Sequence, residues 1–301
     1  MLKRIFNKLL KVTVGRVNLV IGQALFGNGS GFVENIVGLG LVYYARRKKP
    51  KSEPQPLHLS TKLDEMKASG FVFVESSGDN GAIVSLQRRF NLWCDKNKEK
   101  ISQYRLQCSS VGQGSKFFND FPELLNLLNG EVSELLKGYY GSDFEVLNVH
   151  IYRTFMPEQR AMQEDGSAYG STLCWHSDGS TTDTLKVFFL LNDLTVDGGP
   201  MLVLNKSHSR IIFGRHIPFV LEKHGKPNKT EFNKFDGAYY GAKGRCMIVD
   251  TNRCLHRASI PEAMPRDMVC FYIGVDIGQN NSAFHNSGRE PYSGLMRLLN
   301  L

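Results

Sequence analysis

A metal clip split between two distant segments constrains this chain more than any other feature. Its first half is Cys174-Trp175-His176-Ser177-Asp178-Gly179. Side chains alternate along extended backbone, so a His and an Asp two positions apart share one face. Together they offer one imidazole nitrogen and one carboxylate oxygen to a common point. A third ligand lies 80 positions on, at His256, after the short apolar run Cys246-Met-Ile-Val-Asp250 that reads as a buried strand. Two His and one carboxylate cover one face of an octahedral ion and leave the rest open, the ligand set of non-haem iron(II) sites. Such a site requires the chain to leave and return to one end of the same body, which several strands closing on themselves accomplish.

Ten positions beyond His256, Arg266 opens a further apolar strand, Asp267-Met-Val-Cys-Phe-Tyr272. A guanidinium one strand past the last ligand suits an anionic cosubstrate, because it grips a carboxylate through two parallel hydrogen bonds. Between the two halves of the clip stand Leu185-Lys-Val-Phe-Phe-Leu-Leu-Asn-Asp193, Asp197-Gly-Gly-Pro-Met-Leu-Val-Leu204 and Ser207-His208-Ser209. With these blocks in this order, positions 171 to 274 resemble the phytanoyl-CoA dioxygenase family of Fe(II)/2-oxoglutarate oxygenases.

The resemblance implies a mostly β fold with flanking helices, a double-stranded β-helix or cupin-like jelly roll of two facing sheets. It implies that His176, Asp178 and His256 hold Fe(II), that 2-oxoglutarate chelates the iron with Arg266 at its far carboxylate, and that O2 is the third reactant. It further implies hydroxylation of a small-molecule, lipid or glycan-type metabolite, with release of succinate and CO2. The retained Asp178 argues against halogenation, since halogenating relatives carry a small residue there. His208 is expected in a supporting role rather than as a ligand. The sequence departs from the family at Asn205-Lys206, where Pro-Gly is usual, at Cys174, where Gln is common, and at Phe188, where a Trp often lies.

Residues 144–155 alternate as a strand, with Val146, Asn148, His150 and Tyr152 on one side and Leu147, Val149, Ile151 and Arg153 on the other. In the resembled family this strand contributes polar contacts to the cosubstrate and substrate pocket, which makes Asn148 and Tyr152 candidate cosubstrate contacts and His150 a third. A satisfied polar face on an edge strand is the plainer reading of the same pattern.

The charge is uneven. Residues 1–51 hold ten of the 37 basic residues and one of the 29 acidic ones, so this arm carries +9 and the other 250 residues −1. The folded body therefore has no surplus of basic residues for nucleic acid. Residues 2, 5, 6, 9 and 10 are apolar at helical spacing, with lysines on the other face. Residues 12–44 are too often interrupted to span a bilayer. Three readings stay open for the arm: peripheral contact with an anionic membrane, an organelle presequence, or a helix packed on the domain. The expected organisation is an arm over 1–51, a dioxygenase domain over 52–280 and a polar tail over 281–301. The alternative function is a non-catalytic metal-binding family member docked to a membrane by the arm.

Six Cys without a Cys-x-x-Cys pair, and no convincing secretory signal, point to a reducing compartment and a cytoplasmic, possibly membrane-associated, location. Further expectations are a helix over 61–68 capped by Ser60 and ended by Gly70, a strand over 71–75, helices over 82–107 and 120–137, an active-site lid over 156–170, and an irregular insertion over 209–244.

Overall fold

The computed structural model describes residues 57–75, 80–100, 105–110, 115–155, 175–178, 184–215 and 235–275, with Ile36 and Tyr43 as single positions. The arm apart from those two positions, the lid stretch, residues 216–234 of the insertion and the tail lie outside the described residues.

Six strands form the larger sheet: β1 (Phe71–Val74), β2 (Arg105–Ser109), β3 (Phe144–Thr154), β4 (Leu185–Leu190), β7 (Cys246–Val249) and β9 (Arg266–Val275). Their order is β1-β7-β4-β9-β3-β2, and every pairing is antiparallel. The smaller sheet holds β6 (Gly237–Tyr239), β5 (Met201–Val203) and β8 (His256–Ala258), in that order. The chain crosses between the sheets at each step from β4 to β5 and from β7 to β8. These crossings make the two facing sheets of a double-stranded β-helix, as expected.

Alternation along the strands of the larger sheet builds two cores at once. Val72, Val149, Ile151, Leu185, Val187, Phe189, Ile248, Val269, Phe271 and Ile273 turn outward to meet the helices. Phe71, Tyr152, Phe188, Leu190, Met247, Val249, Met268 and Cys270 turn inward, toward Met201, Val203 and Tyr239 of the smaller sheet. The helices over the outer face include α1 (Leu57–Ser69), α2 (Asn80–Lys96) and α5 (Glu131–Tyr140). They contribute Leu59, Leu63, Met66, Leu86, Phe90, Leu135 and Leu136.

Local structure corrects several expectations. The apolar stripe Leu59, Leu63, Met66 extends α1 back to Leu57, so Ser60 lies inside the helix and does not cap it. The helix expected over 82–107 stops at Lys96, and Arg105-Leu-Gln-Cys-Ser pairs with β3 as an edge strand. That stretch alternates polar and apolar, and burying Leu106 and Cys108 outweighs helical continuity. The region 120–137 divides into α3 (Ser115–Asp120), α4 (Leu124–Leu127) and α5, with Pro122 and Gly130 (φ 58°) at the breaks. Part of the insertion is regular: α6 (Lys206–Arg215) and β6. A bulge between Val146 and Asn148 shifts the register of β3, so Val146 joins the helix-facing core while Asn148, His150 and Tyr152 stay on the inner face.

Gly70 does end α1, at φ 90°, where a Cβ would lie 2.4 Å from Cys254 Sγ. No helix among the described residues is long and apolar enough to cross a membrane.

Candidate metal centre

The clip segment runs beside β8. His176 and His256 form an isolated antiparallel bridge, each backbone N–H donating to the other's carbonyl at 3.0 Å. Two residues on, Asp178 N–H donates to Thr251 O at 3.1 Å. These backbone bonds deliver the three side chains to one place. One nitrogen from each His and one oxygen of Asp178 lie within 4.8 Å of one another, and the two imidazole centroids are 4.3 Å apart.

The donor set fits a metal ion. His256 is buried, and its Nδ1–H donates to Cys254 O at 3.1 Å, which leaves the Nε2 lone pair facing Asp178 Oδ2 at 3.8 Å. Burial lowers the His256 imidazole to about 3, so it is a neutral base at physiological pH. Two ligand atoms each about 2.1 Å from one ion at right angles sit about 3 Å apart, so the space suits a single ion. Asp178 Oδ2 is buried and makes no hydrogen bond of good geometry. Burial alone would raise this carboxyl, but Lys186, followed by His256 and Thr251, holds it well below the usual carboxylate range. The Lys186 ammonium stands 2.7 Å from Oδ2.

Lys186 is the residue beside the cluster that sequence reasoning passed over. It lies in β4, a strand buried on both faces, and its ammonium sits 4.6 Å from the Tyr272 ring centroid. The available signal was a single charge inside the apolar run Leu185-Lys-Val-Phe-Phe-Leu190. Such a charge requires a buried partner.

Arg266 begins β9 and is 1% exposed. Strand alternation puts it on the face of Met268, Cys270 and Tyr272, which looks between the sheets. Its Nη1 donates to Ser259 O at 3.3 Å. The next residue, Asp267, faces the helices and is gripped by Arg153 at 2.8 and 2.6 Å.

Asn148, His150 and Tyr152 line the same interior, on the strand next to β9. Asn148 Oδ1 accepts from Ser110 Oγ at 2.7 Å and Val149 N–H at 2.8 Å, and its Nδ2 lies 2.6 Å from His150 Nε2. His150 Nδ1 meets the Gln107 amide at 2.5 Å. Asn148 is thus engaged by its neighbours in a polar chain running from Ser110 to Gln107. Tyr152 is buried, with the Arg105 guanidinium 4.7 Å above its ring, and it pairs with Met268 one step along the inner face from the Thr154–Arg266 pair.

Other features have structural roles. His208 is exposed and outside the cluster; its Nδ1 lies 2.8 Å from both carboxylate oxygens of Asp236, which ties α6 to the approach to β6. Trp175 is buried under the Arg257 guanidinium, 5.3 Å from the ring centroid. Phe188, at the position where relatives often carry Trp, faces the inner core. The five described cysteines, Cys94, Cys108, Cys246, Cys254 and Cys270, are free and buried. Burial pushes Cys94 up to about 11 and Cys270 up to about 12, so these two are inert thiols.

No protein-family model matches this chain, and no curated protein does. Among solved structures, the chain is similar to EctD from S. alaskensis with 2-oxoglutarate and 5-hydroxyectoine, at 14% identity and a TM-score of 0.51, covering 81% of this chain and 84% of that one. The apoform of EctD gives the same identity and TM-score over 80% and 87%. The nogalamycin-biosynthesis epimerase SnoN, described as non-haem and α-ketoglutarate-dependent, matches at 13% identity and a TM-score of 0.48 over 79% and 93%. At these identities the likeness to EctD speaks for the fold, and the fold it speaks for is the double-stranded β-helix already traced strand by strand.

Proposed function

We propose that this chain is an Fe(II)/2-oxoglutarate-dependent dioxygenase of the phytanoyl-CoA dioxygenase type that hydroxylates a small-molecule, lipid or glycan-type metabolite. The observation that carries the reading is the convergence of His176, Asp178 and His256 on one point, 80 residues apart in the chain and joined by a backbone bridge. In this reading those three residues hold the iron. Arg266 pairs with the far carboxylate of 2-oxoglutarate, and Tyr152 and Asn148 line the inner face beside it. Iron, O2 and the oxo acid supply the oxidising chemistry, with succinate and CO2 as coproducts.

The chain's own contribution is placement. The second nitrogen of His256 is spoken for by Cys254 O, so the ring presents a fixed lone pair. Arg266 is held inside the barrel on a strand rather than on a loop. The apolar side chains Phe188, Met268 and Cys270 give the space between the sheets an apolar lining.

The test is succinate formation by anaerobically prepared protein given Fe(II), 2-oxoglutarate and O2, with and without a panel of metabolites. Expected are succinate above background, inhibition by N-oxalylglycine, and a KM for 2-oxoglutarate raised by about 100-fold in Arg266→Met. No succinate under any of these conditions overturns the reading.

A further inference from the structure

Lys186 has no task in the reaction as read so far. Every residue of β4 is buried, and Lys186 itself is 8% exposed. An ammonium in such surroundings needs a counter-charge, and it has one: Asp178 Oδ2 at 2.7 Å. The Tyr272 ring, 4.6 Å away on the neighbouring strand, presents a π system to the same ammonium. A lysine is a cation at neutral pH, and the carboxylate 2.7 Å away and the ring beside it are what let that charge sit inside the fold.

That fixed cation changes the charge of the centre. Asp178 and Lys186 cancel as a pair, and imidazoles ligate a metal in their neutral form. A divalent ion then brings the centre to +2, where the same ligands without Lys186 would reach +1. A chelating oxo acid puts one carboxylate at the ion and sends the other toward Arg266. The centre falls to +1, where without Lys186 it would reach zero. Lys186 therefore opposes the bare cation and favours the anion that follows it.

We propose that Lys186 is a positioning residue that makes metal occupancy depend on the anionic cosubstrate, weakening the hold on the bare ion and relieving that penalty once the oxo acid is bound. The proposal rests on the oxygenase reading. A purely structural Lys186 would give the opposite sign, because disturbing the packing around Asp178 loosens metal binding.

The experiment is calorimetric titration of the full chain with Ni(II), which is redox-inert, with and without saturating N-oxalylglycine. Wild type is expected to bind Ni(II) at least about tenfold more tightly in N-oxalylglycine. One unit of like charge removed at this range is worth at least about tenfold in a binding constant. Lys186→Met, and Lys186→Gln as a polar alternative that keeps a donor toward Asp178, are therefore expected to bind Ni(II) alone about tenfold more tightly than wild type. Both are expected to gain about tenfold less from N-oxalylglycine. Wild type that binds both ligands without coupling overturns the proposal, as do neutral variants that bind Ni(II) no more tightly than wild type. Those results leave the oxygenase reading standing. Wild type that binds neither ligand overturns that reading and this inference with it.

Discussion

His176 and His256 exchange both of their backbone hydrogen bonds, 3.0 Å in each direction, although 80 residues separate them. The pairing of the two imidazoles is therefore built into the backbone of the sheet. Replacing either ring should remove a ligand and leave the bridge. His176→Ala and His256→Ala are expected to weaken Ni(II) binding by more than about 100-fold, a larger loss than removal of a supporting partner causes. Calorimetry reads the affinity, and far- and near-UV circular dichroism should remain that of the folded protein.

The Arg153–Asp267 pair ties β3 to β9 on the face opposite Arg266. Asp267 is buried and receives two hydrogen bonds from one guanidinium. Arg153→Met strands a buried carboxylate and is expected to cost about 3 kcal/mol. Removing both charges, as Arg153→Met with Asp267→Leu, should cost less than Arg153→Met alone. Urea unfolding of the two variants checks this, and a double variant that is the less stable of the two would refute it.

Gly199, in the turn between β4 and β5, has φ 72°, and a Cβ there would lie 2.5 Å from the Pro261 backbone nitrogen and 2.7 Å from the Ser259 oxygen. Neither neighbour is a flexible side chain that could move aside. Gly199→Ala is expected to lower stability by about 2–4 kcal/mol through strain and clash together. Gly130 also has positive φ, but nothing lies within 4 Å of its Cβ position, so Gly130→Ala should cost less in the same thermal unfolding assay.

Burial, and after it Lys186 and Arg105, lower the His150 imidazole to about 4, below its ordinary 6.5. Between those values the unfolded chain binds a proton that the folded chain refuses. The contribution of His150 to stability is therefore constant above about pH 6.5 and falls as pH drops from 6.5 toward 4. The limiting slope is about 1.4 kcal/mol per pH unit for one such proton. His256 acts in the same direction, toward about 3. His150→Asn should reduce the slope between pH 6 and 5 without abolishing it, measured by urea unfolding at each pH.

The strands were legible where one pattern dominated. Leu185–Leu190, Cys246–Val249 and Arg266–Val275 are apolar runs of a length and composition that suit buried strands, and they are strands. β2 was not legible, because Arg105-Leu-Gln-Cys-Ser follows a helix without a Pro or Gly to mark the break, and its period of two is short. The face of Val146 was misread for another reason. A bulge is a pairing event between strands, and one extra residue reverses inside and outside for everything before it.

The sequence by itself determined which chemistry is on offer: a His and an Asp on one extended face, a second His, and an Arg ten residues later. Spacing along a strand is a local property, so side-chain alternation was sufficient. Only the tertiary structure decided that the second His lies against the first, that Asn148 is engaged by Ser110 and His150, and that the lone charge in β4 meets Asp178. Most of those relationships join separate segments, whether 80 positions apart as in His176 and His256 or eight as in Asp178 and Lys186. Their distances are set by how two sheets twist and close on each other, and no window along the chain contains that information.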